Sequence, residues 1–187
     1  MTTTLWLVRH GETEWTLSGQ HTGRTDISLT ENGRKQAQSL APRLSGQAFD
    51  HVLCSPLQRA RETCALAGYE ARAQIEQDLL EWDYGIYEGR TSAEIASAEP
   101  GWSLWTSSVP NGETTADVQL RATRLVNHLL ELGGTTLLFA HAHILRSVIG
   151  VWATGDVRLG EHIVLDTGSV SILGFHRDAR VIRKLNA

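Results

Sequence analysis

Two histidines occupy matching places in this chain. His10 follows the apolar run Thr4–Val8 and Arg9, and precedes Gly11; His141 follows the apolar run Thr135–Ala140 and precedes Ala142 and His143. A short apolar run that stops at a glycine or a polar cluster reads as a buried strand. Open α/β sheets place their ligands beyond the carboxyl ends of such strands. An arginine beside a neutral imidazole supplies a fixed cation and an in-line nucleophile, which together suit an anionic phosphate. Arg59 falls in the first turn of a helix, where free N–H groups and the helix dipole favour an anion. Taken alone it reads equally as a solvated surface arginine, and an isolated Arg-His pair as a strand end bonded only locally. Glu81, Asp83 and Glu88 lie in the stretch Leu79–Gly89 with Trp82, Tyr84, Tyr87 and two glycines. Aromatic neighbours desolvate a carboxyl and raise its pKa, as a general acid near neutral pH requires; a packed aromatic loop accounts for the same composition.

The elements that must carry these residues follow from periodicity and punctuation. After the strand Thr4–Val8, the polar stretch Glu14–Asp26 reads as a loop. Its Thr16, Gly19, Gln20, Thr22 and Gly23 either turn N–H and hydroxyl groups toward an anion or form an ordinary surface. Thr30 caps a helix to about Leu44, with Ala37, Leu40, Ala41 and Leu44 on one face and Pro42 kinking or shortening its end. Phe49–Ser55 is a second strand. Ser55 is the expected N-cap of the next helix, with Pro56 at its first position and Gln58 completing a capping box; Arg61 and Glu62 form its solvated face. Ala73–Gln77 alternates like an exposed strand. A short helix is expected near Ser92–Ser97, with Arg90–Gly112 forming a lid over the site. Glu113–Leu132 has the apolar spacing of an amphipathic helix ended by Gly133 and Gly134. Strand Thr135–Ala140, helix Ile144–Trp152, strand Val170–Phe175, a turn near Arg177-Asp178 and a final strand Arg180–Lys184 complete the chain.

Composition narrows the class. The 187 residues are 41% hydrophobic and 20% charged with net charge −4, which reads as one globular domain without a general nucleic-acid-binding surface. Any anion site must be a local concentration of cations. Cys54 and Cys64 have no metal-ligand spacing and read as buried, reduced thiols. No leader or membrane-spanning run is expected, so a cytoplasmic enzyme is the simplest reading. No carboxylate cluster has metal-ligand spacing, so neither metal nor cofactor is expected.

Five blocks in order resemble the histidine phosphatase superfamily, also called the phosphoglycerate mutase-like family, over essentially the whole chain. They are Arg9-His10-Gly11-Glu12-Thr13; Leu29–Gly33 with Gln36-Ala37; Ser55–Thr63; the Glu81 segment ending Tyr84-Gly85; and Ala140-His141 followed by Arg146. The resemblance implies a three-layer α/β/α sandwich with a mostly parallel sheet. It implies that His10 is the nucleophile that becomes phosphohistidine. Arg9, Arg59 and a protonated His141 would complete the phosphate pocket, and Glu81 would be the general acid. Thr22 and Gly23 match loop positions that touch substrate. Thr16 stands where many mutases have Asn, and Trp82 replaces an arginine of the cofactor-dependent mutases. The Glu81 segment and Ala140–His143 look most like the sugar-phosphate phosphatase branch, including sedoheptulose-bisphosphatase-like members, with Ala142 standing where that branch usually has glycine. Gln20, Tyr84, Ala142 and His143 join the candidate substrate contacts. For His10 to attack, its other ring nitrogen should be fixed by an acceptor such as a backbone carbonyl. The expected activity is metal-independent hydrolysis of a small phosphomonoester, a sugar phosphate or similar metabolite, by a monomer or homodimer that binds neither nucleic acid nor membrane. The short 90–112 segment favours hydrolysis over a mutase. Phosphate transfer between substrate positions would reveal a mutase, and absence of turnover on a broad panel a non-catalytic phospholigand-binding module.

Overall fold

The computed structural model describes residues 3–187. At its centre, strands β1 (Thr4–Arg9) and β4 (Thr135–Ala140) run parallel, with Arg9 opposite Ala140. Strand β2 (His51–Cys54) pairs parallel with the other side of β4, and β3 (Gln74–Ile75) with β2. On the far side of β1, β5 (Val170–His176) and β6 (Ala179–Lys184) add an antiparallel hairpin, giving the order β3-β2-β4-β1-β5-β6. The two strands that end in a histidine are thus neighbours in register, so His10 and His141 leave the sheet side by side.

Both faces of the central strands are covered, which is why they read as continuous apolar runs. Alternate side chains enter different cores: Leu138 packs with helices α5 (Thr115–Leu132) and α6 (Ala142–Thr154), while Leu137 and Phe139 pack with α2 (Glu31–Leu44) and α3 (Gln58–Leu66). The result is the expected α/β/α sandwich. Cys54 and Cys64 are buried and free. No described helix is long and apolar enough to cross a membrane.

Several local expectations are corrected. Within Glu14–Asp26, residues Glu14–Ser18 form helix α1, opened by a Thr13–Thr16 capping box and closed by Gly19 at φ 77°. A single turn is too short for periodicity to reveal. Helix α2 does begin at the Thr30 cap, and it continues through Pro42 to Leu44, where the proline costs only the last turn. Helix α3 begins at Gln58 rather than Ser55, and no side chain of its own N-cap residue bonds to it. Asp26, from a distant loop, accepts from Gln58 N at 2.7 Å instead. The helix expected over Ile144–Trp152 starts directly after His141. Residues 90–112 hold helix α4 (Ser92–Ala98) and then turns, anchored in the core by Leu104, Trp105 and Val109.

Candidate active site

The site is built on the N-terminal ends of α3 and α6 and the loop after β1. The His10 and His141 rings lie 5.2 Å apart between centroids, and both are buried. His10 Nδ1 and the Gly11 carbonyl are 2.7 Å apart, the backbone partner expected for the nucleophile. With Nδ1 donating there, Nε2 is the unprotonated nitrogen. Burial, reinforced by Arg59 and Arg9, holds the His10 pKa well below 6.5, so the ring is neutral.

His141 Nε2 lies 2.7 Å from Ser55 Oγ. Ser55 Oγ also accepts from Leu57 N at 3.4 Å, one residue before α3 begins. Burial first, then Arg59, His10 and Arg9, push the His141 pKa well below 6.5 as well. Without an anion beside it His141 is therefore neutral; a bound phosphate dianion would favour the protonated form that the pocket role requires.

Both pocket arginines are oriented by carbonyls rather than carboxylates. Arg9 Nη1 donates to Leu165 O at 2.5 Å. Arg59 Nη1 donates to Thr25 O, and Nη2 to Thr22 O and Gly23 O, all within 3.0 Å. Arg9 Nε, Arg59 Nε and His141 Nδ1 are buried with no hydrogen-bond partner among the described residues. Buried donors are rarely left so. Two guanidinium N–H groups and one imidazole nitrogen, clustered with the neutral His10 ring, make a cradle for an oxyanion, with His141 Nδ1 donating when Nε2 accepts from the Ser55 hydroxyl.

Glu81 faces the same space. Its Oε1 accepts from Trp82 N at 2.9 Å and Ile144 N at 2.8 Å, and its Oε2 from His143 N at 3.0 Å. It thus caps α6 from a distant segment, as Asp26 caps α3. Ala142 takes up the first position of α6 without a positive φ, so no glycine is required there.

A cleft of about 300 Å³ opens from Arg9 and His10. Thr16, Gln20, Thr22, Glu81, Tyr84, Ala142 and His143 line it as the sequence suggested. Gly23 and Trp82 do not, and neither do the buried Arg59 and His141. The Gly23 backbone packs against the Trp82 carbonyl and gives its N–H to Glu88 at 2.7 Å. Trp82 lies fully buried, edge-on to Trp105, with Nε1 bonded to Glu113 O. Tyr84 Oη and His143 Nδ1 share a 2.6 Å hydrogen bond; burial pushes the phenol up and the imidazole down, so both are neutral.

Sequence reasoning gave no role to four further lining residues: Trp15, His21, Ser92 and Arg146. His21 sits 4.8 Å from the Tyr84 ring, and its Nε2 lies 3.2 Å from Ser92 Oγ. No spacing could have placed it there. Arg146 is the exception: it stands one helical turn after the His143 position, close enough in α6 to share its face. Among the described residues no three His, Cys, Asp or Glu side chains converge as metal ligands.

Residues 5–187 match the model of the histidine phosphatase superfamily, branch 1. The chain belongs to that superfamily. Phosphoric monoester hydrolysis is accordingly its reaction class. A histidine phosphatase relative named acid phosphatase from Mycobacterium tuberculosis is 39% identical over 97% of this chain and 91% of its own length. Sedoheptulose 1,7-bisphosphatase from Saccharomyces cerevisiae is 34% identical over 78% of this chain and 66% of that protein. A 2,3-bisphosphoglycerate-dependent phosphoglycerate mutase from Mesorhizobium japonicum is 34% identical over 98% of both chains. The solved structure of a Mycobacterium tuberculosis open reading frame superposes with a TM-score of 0.93, at 38% identity and covering 98% and 97% of the two chains.

Proposed function

We propose that this histidine phosphatase hydrolyses a small phosphomonoester, a sugar phosphate or similar metabolite, through a phosphohistidine on His10. The observation that carries the reading is the set of unpartnered buried nitrogens, Arg9 Nε, Arg59 Nε and His141 Nδ1, clustered with a neutral His10.

The His10 Nε2 lone pair attacks phosphorus, and the bond from phosphorus to the ester oxygen breaks. Glu81 gives a proton to the departing alkoxide. Water then attacks the phosphohistidine, its proton passes to the Glu81 carboxylate, the N–P bond breaks and inorganic phosphate leaves. Arg9, Arg59 and His141 stabilise the charge on the equatorial oxygens in both steps. Hydroxyl-bearing leaving groups suit the cleft beyond, where His143, Tyr84 and Gln20 offer polar atoms beside aromatic faces. The segment 90–112 is the cover of this cleft. Its length leaves the phosphoenzyme open to water, which favours release over retention.

The test is a phosphate-release screen over sugar mono- and bisphosphates, phosphoglycerates and nucleotides, with rapid quenching to trap phosphoenzyme. A sugar phosphate among the best substrates and an acid-labile phosphoenzyme absent from His10→Ala are expected. Phosphate moving between substrate positions without release would replace the reading with a mutase, and no turnover on any substrate with a binding module.

A further inference from the structure

Glu81 lies in residues 81–84, which have no regular secondary structure. Neither a ladder nor a helix holds its backbone, yet proton transfer requires a fixed carboxyl. We propose that Arg121 and Glu113 form a positioning clamp that sets where Glu81 sits, an inference resting on the reading of Glu81 as the proton donor.

Arg121 projects from α5 and is only 7% exposed. Its Nη1 donates to the carbonyls of Asp78 at 2.8 Å and Leu80 at 2.6 Å, and Nη2 reaches Glu81 O at 3.5 Å. Its Nε and Nη2 also grip the two Glu113 carboxylate oxygens, each at 2.8 Å. Glu113 extends the grip along the strap. Its Oε2 accepts from Asp83 N at 2.9 Å, its backbone N–H donates to Asp83 O at 3.0 Å, and its carbonyl accepts from Trp82 Nε1 at 2.8 Å. One guanidinium and one glutamate therefore hold the segment on both sides of Glu81.

A buried ion pair by itself is weak evidence for a stabilising role, since apolar replacements are often neutral. What distinguishes this pair is where its remaining donors go. They fan over the carbonyls of one unstructured strap, which uses the rigid fork of arginine and which the single ammonium of lysine cannot reproduce. The carboxyl end of Glu81 is pinned to the start of α6 and its backbone end to α5. The clamp also joins the strap to the cover, because the Gly112 backbone packs directly on Asp83 O.

Arg121→Lys and Glu113→Gln are each assayed in the full chain on an alkyl phosphate and on 4-nitrophenyl phosphate, with thermal melts alongside. General acids contribute roughly 10²–10⁴-fold, and only poor leaving groups need them. The kcat on the alkyl phosphate is expected to fall at least about tenfold more than on the aryl phosphate, with KM within about twofold. Added to Glu81→Gln, Arg121→Lys should cause no further selective loss. Equal losses on both substrates, or a further selective loss in the Glu81→Gln background, would overturn the clamp. Selectivity in Glu81→Gln without selectivity in the clamp variants refutes the clamp alone; no selectivity in Glu81→Gln refutes the acid role and the clamp with it. If Arg121→Lys does not fold, Glu113→Gln decides the matter, since it retains the guanidinium and its carbonyl bonds.

Discussion

Gly11→Ala should cripple the enzyme although it adds one methyl and touches no substrate. A Cβ built on Gly11 lies 2.3 Å from the Gly33 carbonyl oxygen, where ordinary contact begins at 3.4 Å. One backbone or the other must retreat by about 1 Å. The Gly33 side is fixed, because Gly33 N is bonded to the Thr30 cap at 3.0 Å in the first turn of α2. Relief must come from the Gly11 side, whose N–H donates to Thr63 Oγ1 and whose carbonyl is the partner of His10 Nδ1. The nucleophile moves with it. A misplacement of about 1 Å costs roughly 10²-fold in rate, and overpacking costs about 1–3 kcal/mol, which for a chain of this size lowers Tm by about 2–12 °C. Phosphate release from 4-nitrophenyl phosphate and a thermal melt read both. Gly33→Ala meets the Glu12 carbonyl at 2.1 Å and should reproduce the loss from the opposite side. Activity within about twofold of the parent in Gly11→Ala, with an unchanged melt, would refute the reasoning.

His10→Ala should release no phosphate from any substrate while still melting cooperatively; substantial turnover would remove His10 as nucleophile. Glu81→Gln should slow alkyl phosphates by roughly 10²-fold or more and spare activated aryl phosphates, and equal losses would reject Glu81 as the acid. His10, His141 and His143 all have pKa values pushed below 6.5 by burial. The unfolded chain then binds more protons than the folded one as pH falls below 6.5, so stability is full above that value and lost on acidification. Melts from pH 7 to 5 should show Tm falling, and orthovanadate should recover part of the loss by occupying the cradle; a flat profile would contradict the buried neutral imidazoles. A chelator should leave turnover unchanged, and an activity lost to it and restored by a divalent cation would overturn the metal-independent reading.

The sheet was largely legible because its evidence is local. Thr135–Ala140 reads as a strand at its true bounds, since a buried parallel strand announces itself in unbroken apolar sequence. Four of the five blocks were legible for a related reason: each lies at the end of such a strand or the start of a helix, whereas the Glu81 block lies in residues 81–84, outside regular structure. What failed depended on partners far along the chain. Ser55 and Gln58 looked like a capping box, but Ser55 bonds with His141 and Asp26 caps the helix from 32 positions away. Trp82 looked like a substrate contact because it replaces a functional arginine of relatives; its indole instead packs on Trp105. His21 carried no signal at all, because only the folded loop brings it against Tyr84.

The same distinction governs the charges. Arg34, Arg121, Arg124 and Arg158 each meet a carboxylate within 2.8 Å and are neutralised where they stand. Arg9 and Arg59 form no ion pair among the described residues, and their guanidinium groups are steered by backbone carbonyls alone. A carbonyl dipole orients a cation without cancelling its charge, so the full attraction stays available to a dianion. Burying an uncancelled charge costs several kcal/mol, which is consistent with desolvation leading the causes that lower the pKa of both arginines. Glu81, the largest source of opposing charge for both, offsets part of that cost. A bound phosphoryl group would offset more, and this is how a chain of net charge −4 can present a strongly cationic pocket at one point on its surface.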